Sequence, residues 1–138
     1  MKTYIENKNL LYNDLCMRIP YNVKCYAILQ QIDKSLKSVY GTLKGITNGY
    51  ATVNDNLVDV FTVRPILRPL SNMTAAEEKE YHDLCVENEI QDRNTLESKT
   101  VYYNTAESFS WLLAHHFDIH NLIDKNLAWE DTENIYKL

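Results

Sequence analysis

Three of the four histidines in this 138-residue chain stand in one short stretch, at His115, His116 and His120. Asp118 lies between them, and imidazole and carboxylate groups together could hold a divalent metal or exchange protons. His116 and His120 have the i, i+4 spacing of two ligands on one helix, but the glutamate of an H-E-x-x-H motif is absent. The sequence therefore predicts no catalytic residue, no metal and no cofactor. A metal-binding enzyme that uses this histidine cluster is our third hypothesis.

Two short helices that meet at a corner near Phe117 are predicted to position these histidines. Asn104 and Glu107 have the spacing of a capping box at the start of the first helix, and Asp118 is placed to cap the second. Asn126 stands where the second helix ends, a position that often needs a left-handed backbone. Apolar residues recur at helical spacing in both segments, at Phe109, Leu112, Leu113 and Phe117 and then at Ile119, Leu122 and Ile123.

Trp111 falls off the first apolar stripe and stands near the histidine pair. It is either an outward-facing anchor of a protein interface, where Trp is enriched, or a side chain buried against the sheet. We therefore treat this corner as one candidate binding surface. Its members are Trp111, His115, His116, Asp118 and His120.

The first half of the chain changes from helical to alternating apolar periodicity. Residues 1–20 are predicted to hold one amphipathic helix, which Pro20 ends. Residues 21–70 are predicted to form a four-stranded antiparallel meander, in which Asn48-Gly49 is a strong hairpin signal. Two glycines inside one strand-like run indicate bulges or bends. We therefore expect a small curled sheet, or a barrel of the Src-homology-3 type.

The second half, residues 71–138, is predicted to be mainly helical. The proline-containing segment 64–70 is expected to end the sheet as an extended or irregular strap. Thr74 and Glu77 then form a capping box that opens a helix ending near residue 87.

A polar, poorly periodic loop is predicted near 88–103, with a short strand around 100–103 inside it. A loop of this length is unusual in a compact domain. Taken together, residues 1–138 are predicted to be a single α+β domain with an N-terminal helix, a curled antiparallel sheet and a C-terminal helical layer.

The net charge of −5 is divided unevenly, with +4 in residues 1–70 and −9 in residues 71–138. An acidic helical layer that lies on a basic sheet would explain the split without any partner. Alternatively, Arg64 and Arg68 could contact phosphates while sheet tyrosines stack on bases, so a nucleic-acid-binding β-barrel module is our second hypothesis. The acidic total argues against it, because nucleic-acid-binding domains are usually basic.

Composition is that of a globular protein, with 45% hydrophobic and 24% charged residues. The first 15 residues do not resemble a signal peptide, and no apolar run has the length of a membrane span. We therefore expect a cytoplasmic protein without membrane association. The three cysteines, Cys16, Cys25 and Cys85, are widely spaced and odd in number, so we expect free thiols that pack as small apolar residues.

Three segments carry a resemblance to known sequences: LYNDLCMRIPYNVK, VRPILRPLSNMTAAEEKEYHDLC and SFSWLLAHHFDIHNLIDKNLA. They resemble a group of small uncharacterised proteins of Bacteroidetes, especially of their phages, prophages and other mobile elements. The resemblance covers most of the chain and implies a setting but no established activity. Our preferred hypothesis is thus a non-enzymatic accessory protein of a phage or mobile element that acts by binding a protein partner.

Overall fold

The computed structural model describes residues 2–88 and 106–136, and its architecture is α+β, as predicted. A long N-terminal helix precedes a six-stranded sheet, and two later helices form a separate layer. The helices are α1 (Lys2–Arg18), α2 (Ala75–Asn88) and α3 (Ala106–Ala114). The strands are β1 (Lys24–Gln30), β2 (Leu36–Thr47), β3 (Tyr50–Val53), β4 (Asn56–Asp59), β5 (Arg64–Leu67) and β6 (Trp129–Glu130). The loop predicted beyond residue 88, the strand at 100–103 and the cap at Asn104 lie outside the described residues.

The sheet is open, so the predicted barrel is wrong. Its strand order is β4-β3-β2-β1-β5-β6, with β4 and β6 at opposite edges. Neighbouring strands from β4 to β5 are antiparallel, whereas β5 and β6 are parallel, which makes the sheet mixed. Closure would require β4 to form a second ladder, and among the described residues it pairs with β3 alone. The sheet nevertheless bends, because the register of β2 against β3 shifts between Leu43 and Gly45.

The proline-containing segment after β4 is part of the sheet and does not end it. The chain makes one 310 turn at Val60–Thr62 and then enters β5, which pairs with β1 at Pro65 and Arg64. Proline disfavours helix in the preceding residue but is compatible with extended backbone. The segment was therefore correctly predicted as extended, but it forms a strand of the sheet and does not end it. Strand β6 then pairs with β5 at Ile66 and Leu67.

Two apolar clusters hold the layers together. Leu11 and Leu15 of α1 are buried against the inner face of the sheet, where the largest cluster also includes Leu43 and Val53. The second cluster joins α2 and α3 to the segment that follows them, and its buried members are Tyr81, Cys85, Leu112, Leu113, Phe117 and Ile119. All three cysteines are free; Cys25 and Cys85 are buried and Cys16 is exposed. No helix among the described residues is long and apolar enough to cross a bilayer.

Asparagine makes most of the left-handed corners. The predicted hairpin is confirmed, with φ of 51° at Asn48 and 82° at Gly49. The described residues with positive φ include six asparagines, at Asn22, Asn48, Asn54, Asn121, Asn126 and Asn134. Short polar side chains tolerate this conformation better than other L-residues do.

The helix predicted after Asp118 does not form, so the segment beyond α3 is less helical than expected. Residues 119–128 are turns and bends. The backbone of Asn121 is left-handed, with φ of 59°, which interrupts a right-handed helix in its first turn. The left-handed backbone predicted at Asn126 is present, with φ of 60°.

Candidate functional site

Six of the seven side chains predicted to bind a partner lie where β5 approaches the turns after α3. We call them the corner cluster: Arg68, Trp111, His115, His116, Asp118 and His120. Backbone bonds fix this arrangement, because Arg68 N–H donates to the His116 carbonyl and Asp118 N–H donates to the Arg68 carbonyl, each at 2.8 Å. The seventh side chain, Arg64, lies at the other end of β5.

Arg68 is the structural centre of the corner cluster. Its side chain is 1% exposed and forms two hydrogen bonds with the Glu77 carboxylate, at 2.6 and 2.8 Å. The guanidinium also bonds to Asn72 and to the His115 carbonyl, and it lies 4.2 Å from the centre of the Phe117 ring. Arg68 therefore has its charge compensated inside the protein and is not available to a phosphate at the surface.

Glu77 makes two kinds of interaction at once, because it caps α2 and pairs with Arg68. The predicted capping box is confirmed, because Thr74 N–H donates to the Glu77 carboxylate at 2.9 Å and Glu77 N–H donates to the Thr74 hydroxyl at 3.1 Å. The hydrogen bonds from Arg68 are the main cause that lowers the pKa of Glu77 to about 2. The start of α2 is thereby joined to β5 through one carboxylate.

Asp118 caps the turn that replaces the predicted second helix. Its carboxylate accepts from Leu122 N–H at 2.8 Å and from Ile123 N–H at 2.9 Å. The prediction of Asp118 as a cap therefore holds in local geometry, although a turn follows it in place of a helix. A carboxylate with both oxygens bound to backbone donors is poorly placed for catalysis.

The His120 ring contacts a buried polar group of α1 that is formed by Asp14 and Arg18. Its Nδ1 lies 2.7 Å from the Asp14 carboxylate, which also accepts from Arg18 at 2.5 and 3.2 Å. Burial raises the pKa of Asp14, but the bonds from His120 and Arg18 outweigh it and lower the pKa overall. Arg18 also donates to the Phe117 carbonyl at 2.8 Å. The bonds of Asp14 and Arg18 connect the corner to the N-terminal helix.

Trp111 and His115 lie in the helical layer and not against the sheet. Their rings stack with centroids 3.9 Å apart, and the Trp111 indole N–H donates to Glu80 of α2 at 2.9 Å. The Trp111 ring also packs 5.2 Å from Tyr81. Trp111 thus joins α3 to α2, and its half-buried ring already has its partners in this chain.

His116 occupies the tightest position of the corner, with φ of 64°. Its ring stacks on Tyr136 at 3.8 Å, and its Nδ1 is buried without a hydrogen-bond partner among the described residues. Burial is the main cause that lowers the pKa of His116 to about 4, so the ring is neutral at pH 7. Within the described part of the chain, no three His, Cys, Asp or Glu side chains are grouped to hold a metal.

The outer face of the β1–β2 pair is different, because it exposes large apolar side chains. We call this the aromatic face, and its members are Tyr26, Ile28, Leu36, Tyr40, Arg64 and Trp129. The five apolar members are between 38% and 70% exposed. Tyr26 pairs with Tyr40 on one side and with Arg64 on the other, which places all three on the same face.

Three rings form a row across the aromatic face. The Tyr26 ring lies 5.1 Å from Tyr40 and 5.5 Å from Trp129, with interplanar angles of 50° and 53°. Tilted packing at these distances is favourable for aromatic pairs. The rings therefore support one another and form a preorganised surface. Trp129 lies in β6 at the edge of the sheet and is 58% exposed.

A cleft of about 620 Å³ lies beside this row. Its lining residues are Tyr26, Ala27, Ile28, Ser38, Phe61, Thr62, Arg64 and Trp129. Arg64 is half-buried there and donates from Nη1 to the carbonyls of Phe61 and Val63, at 2.8 and 3.0 Å. Burial lowers its pKa. No carboxylate among the described residues forms an ion pair with Arg64.

The electrostatic environment differs between the two ends of the face. Burial, the neighbouring Tyr26 and the carboxylates of Asp131 and Glu133 raise the pKa of Tyr40. Lys24 also bonds to Thr42 at 2.6 Å near that end of the face, and the positive charge of Arg64 lies in the cleft. The alternation of apolar residues in β1 indicates this face, since Cys25 and Ala27 are buried on the other side. No sequence pattern near Trp129 indicates that its ring packs beside Tyr26 on this face.

Comparisons of this chain with protein-family models, with curated proteins and with solved structures found no match.

Proposed function

We propose that this chain is a non-enzymatic accessory protein that binds a protein partner through the aromatic face. The observation that supports this most directly is the preorganised row of Trp129, Tyr26 and Tyr40 on the outer side of the sheet. Contiguous exposed apolar surface is characteristic of interaction sites, and Trp, Tyr and Arg are the residues most enriched at their energetic centres. The corner cluster gives no comparable surface, because its charged groups bond within the chain.

Binding of single-stranded nucleic acid is the second candidate, because Arg64 lies beside stacked rings. Three observations oppose it. The rings tilt against one another by about 50° and so do not present parallel flat surfaces to bases. Asp131 and Glu133 add negative charge near Tyr40, and the whole chain carries −5. The net negative charge of the chain disfavours binding of phosphates.

The biological setting rests on the resemblance to small proteins of Bacteroidetes and their phages. We place the protein among the accessory factors of a phage or mobile element, acting in the bacterial cytoplasm. Such a factor needs no catalytic machinery of its own, since it changes the behaviour of the partner that it binds.

A pull-down from bacterial host lysate, with and without nuclease, tests the proposal. Tyr26→Ser and Tyr40→Ser remove part of the aromatic row, and Tyr50→Ser is the matched control because Tyr50 is 52% exposed on β3, away from the row. We expect a nuclease-resistant protein that the first two variants lose and the control retains. Recovery that depends on nucleic acid, or that survives both face variants, would contradict the proposal.

A further inference from the structure

The edge of β1 that borders the cleft is already occupied by the chain itself. Strand β4 and the 310 turn at Val60–Thr62 lie against β1, and Ile28 N–H donates to the Thr62 hydroxyl at 3.2 Å. The same hydroxyl donates to the Asp59 carbonyl at 2.8 Å. A molecule that enters the cleft therefore meets side chains and not an unpaired strand edge.

Most of the side chains that line the cleft are apolar. The Tyr26 and Trp129 rings pack with centroids 5.5 Å apart, and Ile28 and Phe61 belong to the same lining. Ile28 is 39% exposed and Trp129 is 58% exposed, so both keep apolar surface in contact with water. The cleft of about 620 Å³ has room for a large side chain, and contact with these walls would remove that surface from water.

Among the described residues that line the cleft, Arg64 is the one that carries a charge. Its Nη1 donates to the carbonyls of Phe61 and Val63 at 2.8 and 3.0 Å, which holds the guanidinium in one plane. Within the described residues its Nε and Nη2 form no hydrogen bond, and neither atom is sealed from solvent. These two donors lie side by side, in the geometry that binds both oxygens of one carboxylate.

The charge of Arg64 has no counterion in the described part of the chain. The ion pairs found there involve Arg18, Arg68 and His120, and burial lowers the pKa of Arg64. A guanidinium that has lost part of its hydration is stabilised most by an anion. A neutral molecule over Arg64 would remove more water without supplying a charge, so charge complementarity selects an anionic occupant.

We propose that the cleft binds an acidic side chain of the protein partner, with its carboxylate on Nε and Nη2 of Arg64 and a neighbouring apolar side chain on Tyr26 and Trp129. The recognised feature is thus one Asp or Glu next to a large aliphatic or aromatic residue. This inference rests on the proposed function and deepens it, because it specifies the chemistry that the partner presents to the aromatic face. Arginine and aromatic side chains are the groups that contribute most to the affinity of protein interfaces.

A single carboxylate fits the cleft better than the phosphates of a nucleic acid do. Proteins that bind nucleic acid neutralise several phosphates at once, whereas the described lining of the cleft holds one charged residue and the chain carries −5. A second copy of this chain could also bring a carboxylate to the cleft. Nucleic acid and a second copy are therefore alternative outcomes of the test.

The test begins with selection of a phage-displayed random dodecapeptide library on the full chain. We expect the selected peptides to share one Asp or Glu next to a large aliphatic or aromatic residue. A fluorescein-labelled selected peptide is then titrated by anisotropy. Arg64→Met should weaken its binding about tenfold or more, as should replacement of the acidic residue of the peptide by its amide.

A double-mutant cycle separates a direct contact from a structural effect of Arg64. If the guanidinium holds the carboxylate, the acidic peptide and its amide form should bind Arg64→Met about equally well, because the interaction that distinguished them is gone. Arg64→Lys should recover part of the affinity for the acidic peptide, because it restores charge without the two parallel donors. Urea denaturation of each variant checks that the fold is retained.

Matched control variants lie outside the cleft. Lys44→Met removes a charge from an exposed residue of β2 and should leave the affinity within about twofold. Trp129→Ala removes an apolar wall of the cleft and should weaken binding about tenfold. Leu57→Ala removes a similarly exposed apolar side chain from β4 and should leave binding unchanged.

Three results would overturn the inference. The first is a selection that enriches no peptide with an acidic residue. The second is an acidic peptide that binds Arg64→Met as tightly as it binds the unchanged protein. The third is a difference between the acidic and amide peptides that stays the same when Arg64 is replaced.

The pull-down distinguishes failure of this inference from failure of the proposed function. Loss of the partner with Tyr26→Ser but not with Arg64→Met would leave the proposed function standing and overturn the inference. Retention of the partner by all the face variants would contradict both. Binding of a labelled dT15 oligonucleotide that Arg64→Met removes would assign the cleft to nucleic acid, and a dimer in light scattering that Arg64→Met dissociates would assign it to a second copy. Either of these results would also overturn the inference.

Discussion

The two arginines at opposite ends of β5 show how differently two regions of this molecule use the same side chain. Arg68, in the corner cluster, is 1% exposed and bonds to the Glu77 carboxylate at 2.6 Å. Arg64, on the aromatic face, is half-buried, and within the described residues it bonds only to carbonyls of its own segment. The buried ion pair of Arg68 supports the fold, whereas Arg64 has no carboxylate partner among the described residues.

The same contrast extends to the neighbours of each arginine. The corner cluster is rich in groups associated with catalysis, yet Asp118, His120 and Trp111 each bond to another part of the chain. The aromatic face has no such chemistry, but its rings are exposed and held in place. Residue type alone does not separate the two regions, whereas bonding within the chain does.

The largest expected effect comes from breaking the pair in the corner cluster. Glu77→Gln leaves Arg68 buried without its counterion and weakens the start of α2. We expect a loss of about 3–5 kcal/mol in the free energy of unfolding, measured by urea denaturation. A loss below about 1 kcal/mol would mean that Arg68 does not depend on Glu77, and the contrast with Arg64 would fail.

Lowering the pH should destabilise the protein because of the buried histidine of the same cluster. His116 has a folded pKa of about 4 against about 6.5 in an unfolded chain, so the unfolded form takes up the proton first. Stability should be complete above about pH 6.5 and fall by on the order of 2 kcal/mol as the pH drops to about 4. Urea denaturation at a series of pH values measures this slope.

His116→Asn is the control for that slope, because asparagine accepts the left-handed backbone and does not titrate. The variant should show a flat profile between pH 6.5 and 4.5. Below about pH 4.5 both proteins should lose stability together, since the folded pKa of Glu77 is about 2 and its unfolded value is higher. An unchanged slope in His116→Asn would assign the pH dependence to another group.

A smaller effect is expected from the cap alone. Thr74→Ala removes the hydroxyl that accepts from Glu77 N–H but leaves the Arg68–Glu77 pair intact. The free energy of unfolding should fall by about 1 kcal/mol. Thr74→Ser keeps the hydroxyl and should stay close to the unchanged protein. A Thr74→Ala loss as large as that of Glu77→Gln would show that the cap, and not the buried pair, dominates this region.

The smallest effect on stability should come from the other arginine. Arg64→Met keeps a long apolar side chain in the cleft and removes a charge that has no counterion there. We expect the free energy of unfolding to change by less than about 1 kcal/mol, measured by urea denaturation. Destabilisation comparable to that of Glu77→Gln would make Arg64 a structural residue like Arg68.

Features that depend on neighbouring residues in the sequence were predicted best. The Thr74–Glu77 capping box, the Asn48-Gly49 hairpin and the left-handed backbone at Asn126 are all present. Each is decided by bonds or sterics within a few residues. The N-terminal helix and the α+β class also follow from local periodicity.

Features that depend on distant contacts were predicted poorly. The sheet stays open because, among the described residues, β4 pairs with β3 alone. The opposite edge strand, β6, comes from 62 residues beyond β5, where Leu67 pairs with Glu130. Arg64 and Arg68 were both predicted to lie on a candidate surface, and nothing in the sequence separated them. Their difference is made by Glu77 and by the His115 carbonyl, 47 residues away.

The asparagines with left-handed backbone also affect the conformational entropy of the unfolded chain. Only three glycines are present in 138 residues, while six asparagines turn the described corners. Glycine loses more conformational freedom on folding than any other residue. Asparagine reaches the same turn from a narrower starting ensemble, so each corner costs less entropy to close. Replacing these corners with glycine would widen the unfolded ensemble, and at Asn54 it would also remove the bonds of the side chain to Thr42 N–H and to the Tyr40 carbonyl.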